Sequence, residues 1–178
     1  VPSDAEDAKG LLIAAIRDDN PVVFIAHKLL MAKKGEVPDE EYVVPIGKAK
    51  IRREGKDVTL VSWSKMVLDT KAAAEELAEQ GIDAEVIDLR TIKPMDEETL
   101  INSVKKTGRL VIVHEATRVN GFGAEIAATV SEKAFEYLKA PILRVTAPDC
   151  PSPFSPVLEA AYLPNAEKIV EAVKSIVK

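Results

Sequence analysis

The chain has 178 residues, of which 47% are hydrophobic and 30% are charged, and its formal net charge is −5. Charges of both signs are interspersed, which is typical of a globular domain and gives no basis for a polyanionic partner such as nucleic acid. No apolar run approaches the ~20 residues that a membrane-spanning helix needs, and the first ten residues lack the pattern of a signal peptide. The single cysteine, Cys150, excludes an internal disulfide and is typical of a reducing compartment.

The first 27 residues predict one helix followed by one strand. Residues 4–17 carry apolar side chains at helical spacing, and Ser3 or Asp4 is placed to cap the helix. The run "PVVFIAH" (21–27) predicts a buried strand that starts at a proline. Two elements are too few to fold alone, so we expect a partner layer upstream and a chain that begins inside a domain.

Residues 28–47 mix charges with prolines and glycines, and they predict a linker or a long surface loop. From Lys48 onward, strands and helices alternate. We predict strands over 48–54, 58–64, 84–90, 109–116 and 141–147. We predict helices over 65–80, 96–107, 123–138 and 165–178, the first capped by Ser64 and the second by Asp96, and a proline-rich loop over 148–156. This alternation predicts a mostly parallel sheet covered by helices on both faces.

The stretch "VIVHEATRVNGFGAEIA" (111–127) combines a strand, a glycine-bearing loop and a helix, which is how many α/β proteins build a ligand site. Gly121 and Gly123 would let backbone amides approach an anion. The motif lacks the third glycine of the dinucleotide fingerprint, however, so a tight turn between strand and helix is the favoured interpretation and a ligand site is the alternative.

Two further candidates for chemistry lie near this stretch. His114 and Glu115 have the right types for an acid–base pair, but adjacent residues of a strand point to opposite faces of the sheet. Cys150 has no histidine near it in sequence to activate it as a nucleophile. Structural roles are therefore favoured over catalytic ones, and no zinc-site, serine-nucleophile or phosphate-loop pattern is present.

The end of the first helix, "AAIRDDNP" (14–21), is a candidate cation site. The last carbonyls of a helix lack partners within the helix, and Asp18 and Asn20 add side-chain oxygens beside them. Carbonyls, a carboxylate and the negative end of a helix dipole suit potassium or calcium. A solvated helix end is the alternative interpretation.

Four stretches together resemble the beta subunit of thiamine-diphosphate-dependent 2-oxo acid dehydrogenases, a group that includes the pyruvate, branched-chain 2-oxo acid and acetoin enzymes. They are "DAKGLLIAAIRDDNPVVFIAHK", "EVPDEEYVVPIGKAKIRREGKDVTLVSWS", "AEVIDLRTIKPMDEETLINSVKKTGRLVIVHEA" and "GFGAEIAATVSEKAFEYLKAPILRVTAPD". The resemblance runs in order over nearly the whole chain.

The resemblance implies a division of the chain. Residues 1–27 would be the remnant of a pyrimidine-binding domain, 28–47 a linker, and 48–178 a transketolase C-terminal domain. It also implies a three-layer α/β/α fold with a five-stranded sheet in the order 1-3-2-4-5. In that sheet only the first strand, over 48–54, is antiparallel.

The resemblance also implies cofactors and partners for the whole enzyme. These are thiamine diphosphate and magnesium, an alpha subunit, a second beta subunit and a dihydrolipoyl acyltransferase core. The family's activating glutamate and its beta-subunit histidine lie upstream of Val1, so no residue of this chain is expected to be catalytic or to bind thiamine diphosphate. The compartment would be a bacterial or archaeal cytoplasm, or the mitochondrial matrix.

One family site carries over to this sequence. The potassium site of the beta subunit uses an Ala-Ile-x-Asp-x-Asn stretch, which Ala15, Ile16, Asp18 and Asn20 match. Family members often have glutamate before the position of His27 and threonine in place of Cys150. The first of these departures leaves the substrate open among pyruvate, a branched-chain 2-oxo acid and acetoin.

The leading hypothesis is therefore an oxidoreductase subunit portion that serves assembly and docking, with the last helix and the carboxylate of Lys178 in the docking face. One alternative is a stand-alone α/β module that binds a partner or a small ligand without catalysis. Another is a different thiamine enzyme, such as a transketolase or a deoxyxylulose phosphate synthase.

Overall fold

The computed structural model of the chain describes residues 1–177. Its first element is helix α1 (Ala5–Arg17), which begins where the Asp4 side chain accepts a hydrogen bond from the backbone N–H of Asp7. The helix ends at Arg17 because Asp18 is already extended. Both ends agree with the sequence prediction.

The predicted strand over 21–27 is wrong. These residues form no strand, and a 3-10 turn (Lys28–Leu30) follows them. A strand needs a hydrogen-bonded neighbour, and the five strands of the sheet all come later in the chain. Val23 and Ile25 consequently remain 83% and 55% exposed.

The irregular segment over 28–47 crosses the surface of α1. The backbone N–H of Val44 donates to the carbonyl of Gly10 at 3.1 Å, and the Tyr42 hydroxyl donates to the carbonyl of Glu6 at 2.7 Å. A side chain at Gly10 would collide with Val44 and Tyr42, so glycine permits this close approach. The segment is a long surface loop, as predicted, and it is packed against the helix.

The remaining residues form a five-stranded sheet with five more helices. The strands are β1 (Lys50–Arg53), β2 (Val58–Ser62), β3 (Ala84–Asp88), β4 (Leu110–Thr117) and β5 (Leu143–Ala147). The helices are α2 (Met66–Glu79), α3 (Glu97–Thr107), α4 (Gly123–Ala134), α5 (Pro156–Tyr162) and α6 (Ala166–Ile176). A 3-10 turn (Phe135–Tyr137) follows α4 and replaces the end of the helix predicted to reach residue 138.

The strand order is β1-β3-β2-β4-β5, and only β1 runs antiparallel to its neighbour. Strand β2 is buried at every position, as a strand covered on both faces must be. One apolar core joins the sheet to α2 and α6, and a second joins its other face to α3 and α4. The predicted three-layer fold, its strand order and its antiparallel first strand are confirmed.

Two local predictions need correction. Ser64 does not cap α2, because it adopts a left-handed conformation (φ 55°) in the short turn after β2. Lys65 occupies the N-cap position and makes no side-chain capping bond. The proline-rich loop leads into α5, which starts at Pro156 and was not predicted. Lys178 lies outside the described residues.

Candidate functional site

The predicted cation site lies at the exposed end of α1. Helix geometry leaves the carbonyls of Ala15 and Ile16 without partners inside the helix, and no backbone hydrogen bond from elsewhere in residues 1–177 reaches them. Oδ1 of Asp18 accepts two hydrogen bonds of 2.9 Å, from the backbone N–H and the side-chain amide of Asn20. These bonds lower the pKa of Asp18 and keep its carboxylate charged.

The donor set at this end of the helix fits a hard cation. The Asn20 amide nitrogen donates to Asp18, which leaves the amide oxygen of Asn20 available as a further ligand. Asp18 and Asn20 also line a cavity of about 500 Å³. Arg90 and Lys93 also line this cavity, however, and their positive charges disfavour a cation in the cavity itself.

At the end of β4, the structure explains the glycines of the GFG motif. The His114 imidazole is 1% exposed and stacks on Trp63, with ring centroids 5.4 Å apart. A Cβ added at Gly121 would lie 2.5 Å from Cε1 of His114, and one at Gly123 would lie 2.5 Å from its Nε2. The two glycines therefore make room for a buried imidazole, which supports the tight-turn interpretation over an anion site.

The environment of His114 suits a neutral ring. Burial lowers the pKa of His114, and the positive charge of Arg144 lowers it further, against an opposing effect of the Ala116 backbone. Neither ring nitrogen makes a hydrogen bond of normal geometry with any residue in 1–177.

Glu115 points away from His114 and contacts a different segment. Its Oε2 lies 3.1 Å from Nε2 of His27, in the loop before β1. Nδ1 of His27 accepts a hydrogen bond from the Leu29 backbone N–H, which leaves Nε2 as the ring nitrogen that faces Glu115. The adjacent His114 and Glu115 thus have separate partners, as strand alternation predicts.

Cys150 is exposed, and its carbonyl accepts a hydrogen bond from the Tyr162 hydroxyl at 3.2 Å. It lies in the loop between β5 and α5, whereas His114 is sealed beneath the loop that follows β4. The structural role favoured for Cys150 remains a prediction.

A buried ion network that the sequence analysis missed joins the first segment to the sheet. The Arg52 guanidinium contacts Asp88 at 2.8 Å and Asp4 at 2.7 Å, and it also pairs with Asp7. Arg90 pairs with the other oxygen of Asp7 at 3.1 Å. Asp7 and Asp88 are completely buried, so each carboxylate depends on these partners.

One sequence signal could have found part of this network. Asp88 ends an otherwise apolar run, "AEVID", and a carboxylate at the end of a buried strand needs a cation nearby. Nothing in the spacing indicates that the partner would be Arg52, because strand pairing brings the two together across 36 residues.

Comparisons with known proteins agree with this architecture. Residues 47–169 match the family described as "Transketolase, C-terminal domain". The chain is 51% identical, over 96% of its length, to the beta subunit of acetoin:2,6-dichlorophenolindophenol oxidoreductase of Bacillus subtilis (strain 168), of which it covers 50%. It is 51% identical, over 98% of its length, to the mitochondrial pyruvate dehydrogenase E1 component subunit beta of Dictyostelium discoideum, again covering 50%.

A solved structure shows the same architecture. A split-gene transketolase, described as an inactive β4 tetramer, is 28% identical and matches 99% of this chain with a TM-score of 0.78, while the chain covers 55% of it. The chain spans about half the length of these curated relatives. The resemblance to dehydrogenase beta subunits noted in the sequence is confirmed by these identities, and the chain belongs to the transketolase C-terminal domain family.

Proposed function

We propose that the chain is part of the beta subunit of a thiamine-diphosphate-dependent 2-oxo acid or acetoin dehydrogenase, and that this part serves assembly and docking. The observation that carries the proposal is the 51% identity over 96% of the chain to a subunit of that kind. The whole enzyme would decarboxylate a 2-oxo acid, or cleave acetoin, and pass the acyl group to a lipoyl-bearing acyltransferase.

The contacts of the chain's two histidines support a role in assembly. His27 uses both ring nitrogens, one toward Leu29 and one toward Glu115. His114 is sealed against Trp63 and the glycines. In this proposal neither imidazole takes a proton from a substrate.

Thiamine diphosphate and magnesium belong to the whole enzyme in this proposal. Within residues 1–177, no group of three or more His, Cys, Asp or Glu side chains is arranged to hold a metal ion. The buried carboxylates Asp7 and Asp88 are already paired with Arg52. The donor set in this part of the chain does not fit a magnesium diphosphate, and no chemical step is assigned to it.

The test is reconstitution of the complete enzyme. The gene product that contains this chain is produced together with its alpha subunit, and dye reduction is measured with pyruvate, 3-methyl-2-oxobutanoate and acetoin as separate substrates. We expect the two subunits to form a complex. With one of the three substrates, this complex should reduce the dye only when thiamine diphosphate and magnesium are present. A folded gene product that joins no alpha subunit and turns over none of the three would contradict the proposal and favour a stand-alone module.

Exposed apolar side chains offer surfaces for assembly with the alpha subunit and a second beta subunit. At the carboxyl end of β4 and β5, Phe154 is fully exposed and Val157 and Val119 are 79% and 61% exposed. Val23 and Ile25 form a second apolar surface beside α1. Isolated apolar residues are common on protein surfaces, but several together are typical of interaction sites.

Docking to the acyltransferase core is assigned to α6. Ile169, Val170 and Val173 of this helix are buried against the sheet. Glu167, Glu171 and Lys174 are exposed on the other side and offer charged contacts. Calorimetry of the complete enzyme with the acyltransferase's subunit-binding domain should show binding that weakens when Glu171 is changed to Lys. Unchanged heat and affinity would remove α6 from the docking face.

The potassium site is proposed at Ala15, Ile16, Asp18 and Asn20, supported by the free carbonyls and the charged Asp18. In the complete enzyme, replacing sodium by potassium should raise the thermal midpoint, and Asp18→Asn should abolish that increase. Asp19→Asn removes an adjacent exposed carboxylate and is the matched control. An equal response of both variants to potassium would contradict the assignment.

The compartment proposed is the cytoplasm of a bacterium or archaeon, or the mitochondrial matrix. Relatives come from a bacterium and from a mitochondrion, and a single exposed cysteine suits a reducing environment. None of the helices within residues 1–177 has the length and apolar character needed to cross a bilayer.

A further inference from the structure

His114 is sealed at the carboxyl end of β4 by the residues that follow it, which we call the β4–α4 loop (118–122). Its side chain is 1% exposed, and neither ring nitrogen has a hydrogen-bond partner in the part of the chain that the structure describes. A buried polar ring without partners is uncommon in proteins, and it is often associated with a functional role.

Two glycines, Gly121 of the loop and Gly123 at the start of α4, form the backbone surface against which the imidazole packs. Cβ atoms at Gly121 and Gly123 would each come within 2.5 Å of the ring, so the ring rests directly on backbone. The His114 ring also stacks on Trp63. Trp63 in turn packs edge-on with Phe122 of the loop, and the centroids of these two rings are 5.8 Å apart. The neutral ring thus fills the space that gives the loop its shape.

The loop itself is held by few bonds. Asn120 adopts a left-handed conformation with φ 58°. The Val119 backbone N–H donates to Oδ1 of Asp149 at 2.8 Å, which ties the β4–α4 loop to the loop after β5. Arg118 and Arg144 each donate to the other's carbonyl, at 3.3 Å and 3.0 Å. These bonds are solvent-exposed, so they resist opening only weakly.

The charged groups around His114 do not stabilise a protonated ring. Arg144, on neighbouring β5, is the charged group that acts on the imidazole, and it has the same sign as an imidazolium. Glu115 points to the opposite face of the sheet and is paired with His27. Trp63, Phe122 and the two glycines bring no charge. Among the groups that act on the imidazole, the Ala116 backbone favours a proton, and burial together with Arg144 outweighs it.

We propose that His114 is a proton-operated latch of the β4–α4 loop. The neutral ring holds the loop closed, and the protonated ring leaves through the side walled by Gly121 and Gly123 and displaces the loop. Trp63, which is half-buried in the closed structure, then exposes the face on which the imidazole stacks. Because Val119 is tied to Asp149, opening also releases the loop after β5 and moves the apolar surface that carries Val119 and Phe154. The latch acts within this chain and is independent of the substrate of the enzyme.

The chain provides its own reporter, because Trp63 is its single tryptophan. Acrylamide quenching of Trp63 fluorescence is measured on the full chain from pH 8 to pH 5, with far-UV circular dichroism recorded in parallel. We expect the quenching constant to rise severalfold in a one-proton transition while the dichroism stays native. His27→Gln, which removes the other histidine, should keep this transition, and His114→Gln should abolish it.

Several results would overturn the latch. They are a Trp63 accessibility that does not change with pH, a transition that survives in His114→Gln or disappears in His27→Gln, and a loss of dichroism at the same pH. If His114→Gln does not fold, the imidazole proton resonances of His114 are titrated by NMR in the His27→Gln chain. If His114 takes up its proton at one pH and Trp63 becomes accessible to acrylamide at another, the latch is excluded.

Discussion

Nε2 of His27 lies 3.1 Å from Oε2 of Glu115, and this contact joins the loop before β1 to the carboxyl end of β4. The neighbouring residue, His114, is packed against the loop after β4 on the opposite face of the sheet. Consecutive residues of one strand thus hold two different segments, because their side chains alternate across the sheet. The carboxyl end of β4 therefore acts as an anchoring point in this structure.

Gly123→Ala tests the fit of the imidazole against the start of α4. The added Cβ would lie 2.5 Å from Nε2 and 2.7 Å from Cδ2 of His114, in a site where neither the strand nor the helix can move easily. We expect the free energy of unfolding in urea to fall by about 1–3 kcal/mol, as for other overpacked sites.

Two further variants make the Gly123 test specific. Gly35→Ala is the matched control, because its nearest neighbour would be Ala5 Cβ at 3.5 Å, and we expect a change within about 0.5 kcal/mol. Adding His114→Ala to Gly123→Ala should recover part of the loss if the collision is its cause. Equal losses in the Gly35 and Gly123 variants would show that the collision is relieved without cost.

Arg52→Met tests the ion network between the first segment and the sheet. The substitution leaves Asp88 and Asp7 buried, with Arg52 no longer available to neutralise them. Removing one partner of a buried ion pair costs about 3–5 kcal/mol, because the remaining charge is desolvated without compensation. We expect a loss of this size in the free energy of unfolding, measured by urea denaturation.

Arg17→Met is the control for the Arg52 variant. Arg17 pairs with Glu41, and their side chains are 54% and 67% exposed. An exposed pair is worth less than about 1 kcal/mol. Similar losses for the two arginine variants would mean that the buried network contributes no more than a surface pair.

The sequence predicted the alternating elements of the sheet domain well, because each strand and helix there has a clear apolar period and defined end signals. Asp96 caps α3 and Gly108 ends it in a left-handed conformation, as the sequence indicates. The segment over 21–27 failed because an apolar run predicts a strand only if another strand lies beside it. The Arg52 network and the packing of His114 could not be predicted, since both depend on contacts between distant residues.

The pH dependence of stability tests the state of His114. Burial lowers the pKa of His114 in the folded chain, whereas in the unfolded chain the ring titrates near its usual value of about 6.5. As the pH falls below that value, the unfolded state takes up a proton that the folded state does not bind, so the folded state loses stability. The loss should begin near pH 6.5 and continue down to the folded pKa.

The measurement is urea denaturation of the wild type and of His114→Gln between pH 8 and pH 5. We expect the wild type to lose more stability than the variant over this range, with an excess slope of at most about 1.4 kcal/mol per pH unit for one proton. His27 is present in both chains and cancels in the difference. Parallel curves would mean that His114 titrates alike in the folded and unfolded states.

Lys106→Met tests the buried end of β3, where Glu85 is 1% exposed and pairs with the Lys106 ammonium. Oε1 of Glu85 has no partner within residues 1–177, so the carboxylate already depends on this cation and on a long 3.4 Å contact with the Gly55 backbone N–H. Leaving it unsatisfied should cost about 1–3 kcal/mol in urea denaturation. Adding Glu85→Gln should restore part of the loss, because a neutral amide needs no counter-charge.

Lys133→Met, which breaks the exposed pair with Glu97, should cost less than about 1 kcal/mol. If the double variant is as unstable as Lys106→Met alone, then the lost methylene packing of Lys106, and not the charge of Glu85, causes the effect.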